Sequence, residues 1–437
     1  MKKLICAVLV IATLSALATA AVSANAASTD SLTYDIETEL RWMGRTYARN
    51  SMHHFNWSSS GFECRFVGSG VTARLCSNAP GGNNTAYIKI YIDGVEQPDV
   101  ALTAISQTIV LAENLDPTVE HTVKVVKRTN ARSSTAALIS LTLHDGEKLA
   151  PPSDSPRYIE FLGDSLTVGY STVPFADQTE WSTAGEDSTK TYNEPAANAF
   201  FADYSIVAIS GRGIVRNTGG GTDKLFPAIY SFIDQYNNPG VKYKFERQPD
   251  VIVINLGSND ASSANDDLTP EEFRAGLKKF LLKVRQNNPK AEIIYTYGLI
   301  KTRLSEDIEA VIAQLRADGD DHISYIQLKQ CNSDEYFLGH PTAQAYADRT
   351  QSIIDAIAEA TGWIPYNEAD LNRPKESEET TPVEAEPVDT TTPKETEPAV
   401  TDILVDNSGC GAALLPSVML TALTAAGATL IKKKKRK

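Results

Sequence analysis

Cysteine is scarce in this chain. Its 437 residues include five, and two of these, Cys6 and Cys410, stand near the ends in segments that read as membrane or export signals. Cys64, Cys76 and Cys331 are too few for a disulfide scaffold and too scattered for a metal cluster. Cys64 and Cys76 flank Gly68-Ser69-Gly70, which reads as a hairpin turn, and they could pair across it. The six histidines show no metal-ligand spacing, and there is no glycine-rich phosphate loop. No cofactor is therefore expected. Basic residues are also few. Setting aside Lys2, Lys3 and the six basic residues of 432–437 leaves 33 Lys and Arg against 55 Asp and Glu. Such a surface repels nucleic acid and anionic membranes, and suits neutral partners such as polysaccharides.

Both ends carry membrane signals. Residues 1–26 read as a secretory signal: Lys2 and Lys3, an apolar core over 4–17, then the cleavage pattern Ala24-Asn25-Ala26. Near the other end, residues 373–402 hold five prolines and nine acidic residues. That composition cannot build a core and implies a solvated stalk. Residues 411–431 are 21 in a row without a charge, enough to cross a bilayer. The basic residues that follow place that end in the cytoplasm. The layout is that of a cell-wall sorting signal without its Leu-Pro-x-Thr-Gly pentapeptide, since 415–419 read Leu-Pro-Ser-Val-Met. The expectation is a folded body over 27–370, an acidic linker over 371–407 and a membrane anchor over 408–437. The protein would be exported, held at the cell surface, and monomeric.

Within the body, two patterns succeed one another. From 61 to 147, apolar residues recur at every second position: Phe62-Cys64-Phe66, Val71-Ala73-Leu75, Ile88-Ile90-Ile92 and Val123-Val125. Turn signals such as Asp93-Gly94 and Asp145-Gly146 separate them. This predicts a β-sandwich, of jelly-roll type, over 27–150. Trp42, His53, His54 and Trp57 are candidate sugar contacts there, against the plainer expectation that they pack the domain. After a proline-rich junction at 149–156, short apolar runs begin at Tyr158, Tyr204, Val251, Ile293 and Ile323 and alternate with helices. Residues 271–287 place Phe273, Leu277, Phe280, Leu281 and Val284 on one face, behind a capping box at Thr269 and Glu272. Residues 305–317 do the same with Ile308, Val311, Ile312 and Leu315. The alternation predicts a doubly wound α/β domain over 151–370 with a five-stranded parallel sheet, whose sites lie at the carboxyl ends of its strands.

Those ends carry chemistry. The first strand stops at Gly163-Asp164-Ser165, a sharp turn with a helix expected after it. A serine there either caps that helix or presents a hydroxyl as nucleophile, with its own N–H free to bind an oxyanion. The second strand ends in Ser210-Gly211-Arg212-Gly213, the third in Gly257-Ser258-Asn259-Asp260, and Gly339-His340-Pro341 opens the last helix. Together these are the parts of acyl transfer. Ser165 attacks, His340 moves the proton, and the Ser165 N–H, the Gly211 N–H and the Asn259 amide form an oxyanion hole. Asp164, Arg212 and Trp181, the last in a long polar loop over 171–190, are candidate substrate contacts. His121, His144 and His322 lie away from these strand ends.

The four blocks resemble, in order, those of the GDSL/SGNH hydrolase superfamily over about 158–360. The sandwich-then-hydrolase order, the runs EFLGDSLTVGYS and VAISGRGIVRN, and HTVKVVKRT in the sandwich are similar to carbohydrate esterase family 2. That resemblance implies removal of acetyl groups from plant-wall polysaccharide of the xylan or glucomannan type. It also implies a departure from the wider superfamily, where an aspartate stands three residues before the histidine. Phe337 occupies that place, and Asp334 and Glu335 lie farther upstream. The family resemblance implies a Ser–His dyad whose imidazole is oriented by a backbone carbonyl, by position that of Leu338. Since a carbonyl supplies a dipole and not a charge, the imidazole is expected to titrate near its ordinary pKa of ~6.5. An esterase for lipid, aryl or peptidoglycan acetyl esters, or a non-catalytic carbohydrate-binding protein on the same scaffold, are the alternatives.

Overall fold

The period-two residues close a core between two sheets. The structure, a computed structural model, describes residues 32–366 apart from 80, 176 and 177. The leader, stalk and anchor expected above lie outside the described residues. Among the described residues no helix is long and apolar enough to cross a membrane. In one sheet, Glu120–Lys127 pairs antiparallel with both Gly61–Val67 and Ala86–Ile92. In the other, Val71–Cys76 lies between Ala137–Leu143 and Ser106–Ala112. Phe62, Cys64 and Phe66 from the first sheet meet Val71, Ala73 and Leu75 from the second, all fully buried. This is what alternating side chains on two inward faces produce.

One expectation fails here. Gly68-Ser69-Gly70 joins strands of different sheets, so it is an arch between layers and not a hairpin. Period-two alternation says which side chains face inward, but not which strand is the hydrogen-bonded neighbour. Cys64 therefore lies in the core and Cys76 in the opposite sheet, its thiol 3.3 Å from the Met52 sulfur. Both are free, as is Cys331.

The four candidate sugar contacts are packing residues. Trp57 is 1 % exposed and donates its indole N–H to the Ile233 carbonyl, inside the core of the second domain. Trp42 stacks on His53 at 3.6 Å, His53 bonds Glu37 and Thr46, and His54 stacks on Tyr47.

The junction near residue 150 does not separate two independent bodies. Arg45 of the sandwich is buried in the second domain, where its guanidinium bonds Glu160 at 3.0 Å and the Tyr230 carbonyl at 2.7 Å. Arg41 pairs with Asp203, Lys124 with Glu194 and Lys89 with Asp187. Removing one member of a fully buried pair such as Arg45–Glu160 typically costs about 3–5 kcal/mol, because the other charge is left stranded.

The second domain is a parallel sheet of β1 (Tyr158–Gly163), β2 (Asp203–Ala208), β3 (Val251–Asn255), β4 (Glu292–Tyr297) and β5 (Ile323–Gln327). The spatial order is β2-β1-β3-β4-β5, a doubly wound arrangement in which β1, β2 and β3 deliver their ends to one crevice. The helices are α1 (Ser165–Val168), α2 (Asn193–Asn198), α3 (Phe226–Ile229), α4 (Pro270–Asn287), α5 (Ser305–Ala317) and α6 (Ala343–Thr361). The apolar faces predicted for α4 and α5 are buried, and the Thr269–Glu272 capping box forms. The helix after the serine is only one turn long. Gly169, at φ 80°, ends it, and a side chain there would collide with the Asp187 carbonyl.

Candidate active site

Strand ends and one short hairpin build the site. β1 ends at Gly163, and Asp164 turns the chain so that α1 starts at Ser165. The residue that caps α1 is Asp164, whose Oδ1 accepts the Leu166 N–H at 3.0 Å. The Ser165 hydroxyl is thus released from capping. It lies 2.8 Å from Nε2 of His340, the distance at which a base can take its proton.

His340 does not open the final helix. It sits in a two-residue hairpin, Tyr336–Phe337 paired with His340–Pro341. Leu338 and Gly339 make the turn at φ 46° and 76°, the mirror-image turn that suits paired strands. In that turn the Leu338 carbonyl faces Nδ1 of His340 at 3.3 Å. The hairpin is fixed to the hydrolase body: Arg349 grips the Glu335 carboxylate at 2.8 Å, and the Ala343 N–H bonds the Thr172 carbonyl. Glu335 therefore faces Arg349, which holds its carboxyl below the usual range. Phe337 stands opposite His340 in the hairpin register.

Burial pushes the His340 imidazole below its ordinary pKa, against the pull of the Leu338 carbonyl. The expectation of an ordinary titration is thereby corrected. The neutral imidazole is the form that accepts a proton, and a lowered pKa keeps it neutral to more acidic pH. The acid limb of kcat/KM should accordingly have its midpoint below ~6.5. A pH–rate profile checks this, and a midpoint above that value would show that the site favours the imidazolium.

On the other side of Ser165, Asn259 joins the two remaining strand ends. Its amide donates to Oδ2 of Asp164 at 2.9 Å and to the Arg212 carbonyl at 3.0 Å. Sequence suggests an amide waiting free for an oxyanion; here its hydrogens already have protein acceptors. The N–H groups of Ser165 and Gly211, by contrast, donate to no acceptor among the described residues. Gly211 holds φ 80°, a conformation that glycine alone adopts without strain. Replacing Asn259 with alanine cuts the link between the nucleophile turn and the 210–217 turn. Because that link holds the turn bearing the Gly211 N–H, its loss should lower kcat by about 10²–10³, as loss of one oxyanion donor does. Steady-state kinetics decide, and a loss of tenfold or less would take Asn259 out of transition-state stabilisation.

Two carboxyls support this arrangement. Asp164 is fully buried. Burial, helped by the nearby Asp260 charge and opposed by the Leu166 N–H and the Asn259 amide, pushes it up to about 7. Asp260 accepts the N–H groups of Ile214, Val215 and Arg216 at 2.7–2.9 Å, pinning the turn that carries Gly211. Asp164 and Arg212 were candidate substrate contacts by sequence. The structure buries both, and Arg212 spends its guanidinium on Asp223. Trp181 remains partly exposed and stacks on Tyr170 at 5.5 Å. Tyr170 in turn packs on the His340 ring at 4.3 Å. Sequence reasoning gave no role to Tyr170 or Asp260, although both lie within the blocks it singled out; only the fold shows what they touch.

Comparison with known proteins gives the same order of two domains. A family model described as carbohydrate esterase 2 N-terminal matches residues 42–152, and one described as GDSL-like lipase/acylhydrolase matches 159–369. An acetylxylan esterase/glucomannan deacetylase of Cellvibrio japonicus is 30% identical over 293 residues, which span 63% of this chain and 77% of that protein. The cellulase/esterase CelE of Acetivibrio thermocellus is 27% identical over 315 residues, which are 70% of this chain but only 38% of that longer protein. Among solved structures, a family two carbohydrate esterase from Clostridium thermocellum, in complex with cellohexaose, superposes with a TM-score of 0.69. It is 24% identical, and the match covers 74% of this chain and 99% of that one.

Proposed function

Since the chain belongs to carbohydrate esterase family 2 and is an ester hydrolase, we propose that it removes O-acetyl groups from plant-wall polysaccharide of the xylan or glucomannan type, using Ser165 and His340 as a dyad. The observation that carries this reading is the 2.8 Å contact between the Ser165 hydroxyl and His340 Nε2, with the Leu338 carbonyl, and among the described residues no carboxylate, bonded to Nδ1. The similarity to acetylxylan esterase/glucomannan deacetylases supports the substrate class.

In this mechanism Ser165 Oγ attacks the acetyl carbonyl while its proton passes to Nε2 of His340. The negative charge moves to the carbonyl oxygen and is met by the N–H groups of Ser165 and Gly211, with Asn259 beside them. The intermediate collapses and the C–O bond to the sugar breaks. The sugar oxygen leaves with the proton held on His340, and the acetyl group stays on Ser165. Water then attacks the acyl-enzyme and gives its proton to His340. Acetate departs, and the proton returns to Ser165 Oγ. The Leu338 carbonyl holds Nδ1–H throughout, so that Nε2 faces the serine.

Acetate release from acetylated xylan and glucomannan, compared with p-nitrophenyl esters of rising chain length, tests the assignment. Release from the polymers and a steep fall beyond acetyl are expected. Preference for long acyl chains would point to a lipid ester instead. We propose further that the protein is exported by residues 1–26 and held on the cell membrane by 408–437. Deleting 408–437 should then release a secreted protein of unchanged activity, as fractionation of cells and medium would show; a truncated form that still pellets with membranes would refute the anchor.

A further inference from the structure

The 210–217 turn has a second neighbour, and it belongs to the sandwich. Arg132 leaves the loop after Glu120–Lys127, with its own N–H held by Oδ1 of Asn130 at 3.0 Å. Its guanidinium reaches across to the Ser210 carbonyl at 3.3 Å. It ends 3.7 Å from where a side chain on Gly211 would begin. It is exposed and forms no ion pair among the described residues.

Other cations gather at the same rim around Tyr236. The Lys224 ammonium stands 4.6 Å over the Tyr236 ring and likewise has no carboxylate partner among the described residues. Arg212 lies 5.7 Å from that ring. Arg212 and Arg132 both pull the pKa of the Tyr236 hydroxyl down against the effect of burial. Of the carboxylates here, Asp223 is taken by Arg212, and Asp234 accepts the Tyr236 N–H and the amides of Asn56 and Asn237; neither pairs with Arg132 or Lys224. Arg132, beside the Gly211 turn, and Lys224, over Tyr236, are therefore left without ion-pair partners among the described residues. The body around them is strongly acidic, so a cationic rim there is not general surface character. The rim is also anchored: the Asn237 amide donates to the Ala131 carbonyl, and the Trp57 indole to the Ile233 carbonyl. The loop that carries Arg132 is thus held against the hydrolase domain.

A guanidinium with free donors recognises a carboxylate better than it does a hydroxyl, because the ionised acceptor forms shorter and stronger bonds. We propose that Arg132 and Lys224 form a subsite for a carboxylate carried by the glycan, as on a uronic acid residue close to the acetylated sugar. The sandwich then supplies a specificity-determining residue to the active-site rim. This rests on the polysaccharide deacetylase reading. Free acetate, the product, has the same chemistry and is the other source of a carboxylate.

The test uses the full chain carrying Ser165→Ala, so that ligands bind without turnover. Calorimetric titration compares an acetylated neutral xylo-oligosaccharide, the same oligosaccharide bearing one glucuronic acid, and sodium acetate. The acidic oligosaccharide should bind about fivefold tighter than the neutral one at low salt, as for a partly exposed ion pair. The preference should fall to near unity in 0.5 M NaCl, and separately in Arg132→Gln, while affinity for the neutral oligosaccharide is kept. Lys224→Gln, a change at an exposed side chain, should lower the preference about twofold and covers the case in which Arg132→Gln misfolds. Equal affinity for the two oligosaccharides, a preference that survives both substitutions, or sodium acetate binding as tightly as the acidic oligosaccharide would overturn the proposal. Failure of the deacetylase reading shows elsewhere, as loss of acetate release from the polymers with the model ester still hydrolysed.

Discussion

Ser165→Ala should abolish ester hydrolysis, with kcat falling by at least ~10⁴-fold, and leave the melting temperature within about 2 °C of the parent. In the proposed mechanism this hydroxyl forms the acyl bond, and it lies 2.8 Å from His340 Nε2. Its loss should hardly disturb the fold. The side chain caps nothing, because Asp164 holds the Leu166 N–H, and its one hydrogen bond is to His340. The neighbouring core residue Leu166 and the β1 register do not depend on it. Steady-state kinetics with p-nitrophenyl acetate, together with calorimetric melting, measure both halves. Activity within tenfold of the parent would end the acyl-enzyme mechanism.

His340→Ala should cost several orders of magnitude in kcat, whereas Asp334→Ala and Glu335→Ala should each cost less than about tenfold. In a triad the carboxylate fixes the imidazole tautomer and stabilises the imidazolium; replacing it costs about 10⁴ in kcat. Here the tautomer is held by the Leu338 carbonyl at 3.3 Å from Nδ1. A carbonyl supplies a dipole where a carboxylate supplies a charge, consistent with an imidazole that titrates low. Glu335 has a different partner: both its oxygens bond Arg349, at 3.1 and 2.8 Å. Its loss should appear as a lower melting temperature, since the buried Arg349 guanidinium is left without its counter-charge. Kinetic and melting measurements on the three variants separate these effects. A drop at Asp334 or Glu335 as deep as that at His340 would show that a carboxylate orients the base after all.

How much of this was legible before the fold is seen from particular residues. Alternation marked Phe62, Cys64, Phe66, Val71, Ala73 and Leu75 as inward-facing, and all are fully buried. A period of two needs only local geometry. The 3.6-residue pattern likewise placed Phe273 and Leu277 of α4 in the core. Strand ends of a parallel sheet share one edge, so Ser165 and Asn259 could be assigned to a common site from order alone. What sequence could not decide were relations between distant segments. It did not show that Gly68-Ser69-Gly70 crosses between sheets, that Trp57 is spent on Ile233, or that Asn259 is already bonded to Asp164 and Arg212. It did not show that Arg132 of the sandwich reaches the Gly211 turn. Local patterns follow from dihedral preference and from which side must leave water, and each chain segment carries that information itself. Pairing partners, hydrogen-bond acceptors and pKa shifts depend on which remote groups arrive at the same few ångströms, and only the packed tertiary structure determines that.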